Sequence, residues 1–302
     1  MPLTHVILEK GGEPLPIQEA RERVARRSTD ERWTPELFEA ILATRQERDY
    51  VSTTSLTAKC LRQQALTRQL PYAESLEDMW AAFRGTMFHG QLEKHVVEPA
   101  LEEARFFVTL NIDGELLTLS GSPDLVDPLT GQLYDYKFTK ENPRFDRPWP
   151  DHVAQVNVNK WLVDHAERME WRDREWFPDP DDPRYFVADD DAGRARVLVR
   201  PVDWQGLIVV YMDDKGPKKL LATKSIDVPK ADGKGTKKAR VADIWDDAQA
   251  EAYVIDHYVE AHLALTLGEV PPVPVGWEAQ SHILCQYCPV RKECALLERE
   301  GK

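Results

Sequence analysis

The sequence predicts a mixed α/β fold, a mixed β-sheet flanked by helices. Three observations carry this. Helical apolar spacing gives way to two-residue alternation near residue 105, and helical spacing returns near residue 151. A turn signal, Asp127-Pro128-Leu129-Thr130-Gly131, separates two strand-like runs. The longest apolar run, Gly206 to Met212, suits a buried strand.

Composition sets outer limits. The 302 residues suffice for one large or two small domains, and nine Trp, nine Tyr and nine Phe exclude wholesale disorder. No apolar run approaches the roughly 20 residues that span a bilayer, so no membrane partner is expected. Residues 1–13 lack a basic start followed by an apolar stretch, and a cytoplasmic location is expected. The net charge of −13 argues against nonspecific coating of nucleic acid but leaves room for a local basic groove.

The elements follow in order. Gln18 to Arg27 reads as a charged helix, and a second begins at Thr34-Pro35, an N-cap followed by proline at the first helical position. Thr53, Thr54 and Ser55 offer caps for a helix carrying Cys60. A long helical pattern runs from Ser75 to Ala104, broken near Pro99. Arg105 to Asp113 and Glu115 to Asp127 read as strands split at Gly114, followed by the strand Gln132 to Phe138. Pro143, Pro148 and Pro150 mark a loop before a helix from Asp151 or His152 to Trp171. Asp173 to Gly193, rich in Pro and Asp, reads as an inserted loop; its acidic run lacks the spacing of a calcium loop. Strands follow at Ala195 to Val202 and Gly206 to Tyr211, a flexible stretch at Lys230 to Lys238, and a helix from Ala248 to Leu267 ended by Gly268.

The hairpin around Gly131 concentrates the chemistry. With residues 128–131 as its turn, facing residues sum to 259, so Asp124 faces Asp135. Two carboxylates that close repel unless a cation or proton lies between them, and a hard divalent ion suits oxygen ligands. Lys137 shares a face with Asp135, and the Tyr136 carbonyl is a further metal ligand candidate. A metal-polarised water beside an ammonium equips a site for phosphodiester hydrolysis. The plain alternative is a solvated hairpin with an ordinary Asp and Lys. His89 and Glu93, at i and i+4, share a helix face; His89 is a metal ligand candidate and Glu93 a catalytic one. An imidazole shifts preference towards manganese. Gln155, on the following helix, is a candidate contact to substrate or water.

Cys285, Cys288 and Cys294 form C-x2-C-x5-C, and Cys60 is the only other cysteine. Four thiolates complete one tetrahedral zinc site or one iron–sulfur cluster. Either would tie the two ends of the chain together.

These residues, in this order, resemble the RecB-like branch of the PD-(D/E)XK nucleases, and among them the iron–sulfur members: CRISPR-associated RecB-like exonucleases and AddB-type nuclease domains. The lone Cys60 in Lys59-Cys60-Leu61-Arg62 comes first, then Gly85-x3-His89, Gly121-x2-Asp124, Asp135-Tyr136-Lys137, the helical Gln155 and the closing cysteines. One departure is Asn159, where the family pattern has tyrosine. The resemblance spans residues 52–296. It implies a restriction-endonuclease-like core, a mainly structural [4Fe-4S] cluster joining the N- and C-terminal parts, and a Mg2+- or Mn2+-dependent exonuclease acting on DNA ends, often single-stranded. It places a nuclease domain at 51–302 behind a helical extension at 1–50.

Lys215 to Arg240 holds nine basic residues against Asp227 and Asp232, so 9 − 2 = +7. Within this basic loop Lys234, Lys237 and Lys238 are candidate nucleic-acid contacts, as is Arg62 near the first cysteine. Gly233-Lys234-Gly235-Thr236 lacks the spacing of a phosphate-binding NTPase loop. The reading is a metal-dependent DNA exonuclease in repair, recombination or CRISPR-type processing. The alternative is a DNA-end-binding adaptor of the same fold, partnered by a helicase, an integrase or another recombination or CRISPR adaptation protein.

Overall fold

The structure is a computed structural model that describes residues 3–9, 11–26, 32–43, 51–58, 60–95, 98–139, 146–190, 193–213, 216–229, 236–274, 285 and 288–299. The N-terminal elements are β1 (Leu3–Ile7), β2 (Leu15–Pro16), α1 (Ile17–Ala25), α2 (Pro35–Ala43), β3 (Val51–Ser52), α3 (Thr53–Leu56), α4 (Leu61–Gln69), β4 (Tyr72–Ser75) and α5 (Leu76–Leu92). A 3-10 turn at Glu93–His95 leads to β5 (Leu101–Glu102), β6 (Arg105–Ile112), β7 (Glu115–Gly121), β8 (Leu125–Asp127), β9 (Gln132–Phe138) and α6 (Pro150–His165). Then come β10 (Arg168–Trp171), β11 (Arg174–Pro178), β12 (Tyr185–Asp190), β13 (Gly193–Leu198), β14 (Gly206–Asp213) and β15 (Gly216–Leu221). The hairpin β16 (Thr223–Pro229) and β17 (Thr236–Ala242) precedes α7 (Asp247–Leu265) and α8 (Arg291–Arg299).

The chain divides into two compact units. The first comprises Met1–Val51, Ala58–Phe88 and Tyr258–Lys302. Its small sheet, in the order β2-β1-β4, pairs β1 with β4 in parallel. Val6 of β1 joins Val24, Phe38, Ile41, Leu76 and Met79 in one apolar core. The end of α7 lies on α4, where Ala65 meets Ala264 and Leu265. Arg68 donates to the Leu265 carbonyl and Gln69 to that of Gly268, satisfying carbonyls that a helix end leaves open.

The second unit comprises Ser52–Thr57 and His89–His257. It holds a seven-stranded sheet, β13-β12-β11-β10-β6-β7-β3, and a five-stranded sheet, β15-β14-β9-β8-β5. Helix α6 contacts β6 and β7 of one and β9 and β14 of the other. Its sequence explains this position: Val153, Ala154, Val156, Val158, Trp161, Leu162 and Val163 bury apolar side chains all round. Strand β14, buried from Gly206 to Met212, pairs in parallel with β9 and antiparallel with β15. Gly121 permits the close approach of helices to β7. A Cβ there would stand 2.6 Å from both Leu162 Cδ1 and Thr53 Cγ2, and 2.9 Å from Asn159 Oδ1.

Several elements differ from the sequence expectation. The helix expected over 75–104 ends at Leu92, and Leu101–Glu102 is a strand paired with β8. Pro99 has no N–H for a helix, and Glu103 adopts φ 47°, which no helix accommodates. The helix expected to reach Trp171 ends at His165, because Met169 and Trp171 alternate with exposed neighbours and pair along β6 and β11. The expected loop at 173–193 contains β11 and β12. Its Pro and Asp residues cluster at the turn between them, where Arg184 and Asp182 pair. Cys60 precedes α4 as its N-cap, accepting from the Gln63 N–H, and lies on no helix. Thr236 to Lys238, expected as part of a flexible stretch, begin β17. Within the extension expected as helical at 1–50, Leu3–Ile7 and Leu15–Pro16 are strands, β1 and β2.

Candidate functional site

The hairpin register follows from its turn. Asp127 Oδ1 accepts from the N–H groups of Leu129 and Thr130, and Gly131 supplies φ 65°. The pairs Asp127–Gln132, Val126–Leu133 and Leu125–Tyr134 each sum to 259, as expected. Asp124, next in line, accepts from the Tyr136 N–H through Oδ2.

His89 arrives from the last turn of α5. Its Nδ1 lies 3.2 Å from Asp124 Oδ1 and 2.7 Å from Glu103 Oε1. Glu103 directly follows β5. Leu101 faces Val126 and Glu102 faces Leu125, and the Glu103 N–H donates to the Asp124 carbonyl. Candidate ligand atoms of His89, Glu103 and Asp124 all lie within 4.8 Å of one another, a spacing at which they could hold one metal ion. Two carboxylates and an imidazole suit Mg2+ or, more strongly, Mn2+.

Asp135 and Lys137 flank this group. Asp135 is 2% exposed. Its Oδ1 accepts from Lys137 Nζ at 2.9 Å, whereas its buried Oδ2 has no hydrogen-bond partner. A metal ion or its water would satisfy that oxygen. Burial pushes the Asp135 carboxyl up, opposed by Lys137 and reinforced by the negative charge of Asp124. Burial works against the Lys137 ammonium, but Asp135 and Asp124 outweigh it, and the lysine titrates above its ordinary range. Lys137 is therefore a fixed cation at neutral pH.

His89 behaves similarly. Burial lowers its pKa, but the hydrogen bonds and charges of Asp124 and Glu103 prevail and push it up to about 10. In the metal-free protein this pairing stabilises the fold fully below the ordinary value of 6.5 and is lost as pH rises through about 10. An ion entering beside Nδ1 must displace that proton. Mn2+ affinity should therefore rise with pH between about 7 and 9, by up to about tenfold per unit. His89→Ala should bind more weakly and lose most of the slope. Calorimetry in buffers of different ionisation enthalpy reads the exchange directly, and zero proton release by the wild type would rule it out.

The other sequence candidates are placed as follows. Tyr136 packs edge-on against His89, with ring centroids 6.5 Å apart. Glu93 lies in the 3-10 turn just past α5. Gln155 is half-buried on α6. Asn159, where the resemblance expects tyrosine, is fully buried and its side-chain amide has no hydrogen-bond partner. Lys237 and Lys238 lie on β17; Lys234 falls outside the described residues. Arg62 is 1% exposed, donating from Nη1 to the Pro271 carbonyl and from Nε to Cys294 Sγ. A guanidinium so enclosed is not placed to contact DNA, which corrects that expectation. Cys60, Cys285, Cys288 and Cys294 line one cavity with it. Burial pushes the Cys60 thiol up, and that of Cys288 up to about 11, with the neighbouring cysteines adding to both.

Two features escaped the sequence. Glu103 is one; the acidic pair Glu102-Glu103, one residue ahead of the Arg105 strand, was its only signal. The other is Tyr211, which pairs beside Lys137 across β9 and β14. Its hydroxyl accepts from the Trp149 N–H at 3.1 Å and lies 2.7 Å from His152 Nδ1.

The carboxylates of Asp124, Glu103 and Asp135, the His89 imidazole from α5 and the Lys137 ammonium from β9 are the side-chain types that a metal-dependent hydrolytic centre uses. The profile of the PD-(D/E)XK nuclease superfamily matches residues 3–295, and the chain belongs to that superfamily. It is a superfamily of metal-dependent nucleases, hydrolases of phosphodiester bonds. The crystal structure of SSO0001 aligns with 14% identity and a TM-score of 0.46, covering 85% of this chain and 93% of that one. No curated protein matches. Among the described residues, no helix is long and apolar enough to cross a membrane.

Proposed function

We propose that this protein is a RecB-like exodeoxyribonuclease that degrades DNA from single-stranded ends. The observation that carries the reading is the convergence of Asp124, His89 and Glu103 beside the Asp135–Lys137 pair. Asp124, His89 and Glu103 would hold the metal, with the unpaired oxygen of Asp135 turned to the same task. When bound, Mg2+ or Mn2+ supplies Lewis-acid polarisation and a more acidic water. Lys137 contributes a fixed positive charge for the phosphate as negative charge builds on it. Asp135 orients that ammonium through the 2.9 Å bond. Before an ion enters, Glu103 and Asp124 set the direction of the His89 ring through its Nδ1.

The RecB-like subtype rests on the order of motifs from Cys60 to Cys294. The four cysteines line one cavity in a single unit, and thiolates there fit a [4Fe-4S] cluster that joins α4 to the C-terminal segment. Brown protein with a broad absorption band near roughly 400 nm would support this; colourless protein with stoichiometric zinc would reject it.

End-labelled and circular oligonucleotides test the activity. With Mn2+, linear single strands should be shortened from an end while circular single strands persist. Cleavage of circles would replace the exonuclease by an endonuclease. Tight end binding without hydrolysis in any divalent ion would favour an adaptor that works with a helicase or adaptation partner.

A further inference from the structure

Arg62 is the largest fully buried side chain among the described residues, at 1% exposure. Burying a guanidinium is costly unless it is hydrogen-bonded and its charge is met. Arg62 stands two residues after Cys60, in the first turn of α4. Its Nε donates to Cys294 Sγ at 3.3 Å, and Nη1 is anchored on the Pro271 carbonyl at 2.7 Å. One side chain thus reaches from the helix capped by the first cysteine to the sulfur of the last. Both lie on the cavity that Cys285 and Cys288 also line.

We propose that Arg62 is the built-in counter-charge of the cysteine site, holding its thiolate-ligated group and raising that group's reduction potential. The proposal rests on the reading that the cysteines carry a [4Fe-4S] cluster. Four thiolates outweigh the positive charge of such a core, so the assembly is a net anion. Reduction adds one electron to the core, breaks no bond and makes the anion more negative. A fixed cation therefore favours the reduced form more than the oxidised form. A hydrogen bond to a ligand sulfur acts in the same direction, and charge and sulfur hydrogen bonds are what set these potentials. Arg62 is a positioning residue by this argument, acting on the cluster and not on DNA.

The test uses full-length protein purified without oxygen, reduced stepwise by dithionite and followed by absorbance and electron paramagnetic resonance at controlled potential. Arg62→Gln removes the charge at similar length; Arg62→Lys keeps it. With iron retained, Arg62→Gln should lower the ratio of reduced to oxidised cluster at least tenfold at a given potential, about 59 mV for one electron. Arg62→Lys should fall between it and the wild type. If Arg62→Gln loses iron while Arg62→Lys keeps it, the charge requirement is upheld. An unchanged potential in iron-replete Arg62→Gln overturns the proposal, as does loss of iron from both variants. A wild type without iron overturns the cluster reading itself, a result distinct from either.

Discussion

Lys137→Ala should lower hydrolysis of labelled single-stranded DNA by about 10²–10³-fold at saturating Mn2+, the loss typical of removing one fixed donor from developing charge. Two effects contribute, and they separate experimentally. The first is loss of a buried cation that is ionised at neutral pH. The second acts through Asp135, which is 2% exposed and bonded to Lys137 Nζ at 2.9 Å. Without the ammonium that carboxyl is pushed further up, because Lys137 is the main influence holding it down. A more readily protonated Asp135 weakens the metal centre. Raising Mn2+ concentration should recover the second effect and leave the first. A turnover deficit that persists at saturation therefore assigns Lys137 to the phosphate. Full recovery would reduce it to a support for Asp135, and equal hydrolysis by wild type and variant would place the activity elsewhere.

The residues of this site differ in how far the sequence revealed them, and the difference is one of distance along the chain. Asp124, Asp135 and Lys137 were legible because a local turn sets their register. The Asp127 side chain and Gly131 close the bend, and period-two alternation does the rest. His89 was legible from helical spacing and the resemblance together. Glu103 was hidden by a misread helix: it reaches Asp124 only through the β5–β8 pairing, and nothing local announces a two-residue strand. Tyr211 was hidden for a related reason, since it meets Lys137 through a parallel pairing that no hairpin dictates. Strands β11 and β12 were masked by composition. Pro and Asp at the Asp179 to Arg184 turn dominated the window, while Trp176 and Phe186 carried the buried alternation. Arg62 shows the reverse: its charge reads as a phosphate contact, whereas the side chain is 1% exposed and donates to Cys294 Sγ and the Pro271 carbonyl.

Cys60→Ala should produce the largest loss of stability of any single cysteine change. It removes the one cysteine that lies far from the others, 285 − 60 = 225 residues before Cys285, and with it the long-range link that the proposed cysteine site would make. A cross-link closing a loop of that length restricts the unfolded chain by about 5 kcal/mol in the loop-entropy estimate. For a protein of this size that corresponds to a fall in Tm of roughly 8 °C. The same three remaining thiols also lose a complete ligand set, so metal content should drop with it. Cys288→Ala is the informative comparison. Cys285 and Cys294 would still link the C-terminal segment to Cys60 through any metal group that persists, so its Tm should fall less. The contacts of α4 with the end of α7, through Arg68 and Gln69, remain in both variants and give the first unit a residual fold. Equal, small shifts for the two variants would mean that the cysteine site contributes no long-range closure, and that α4 and α7 alone hold the segment.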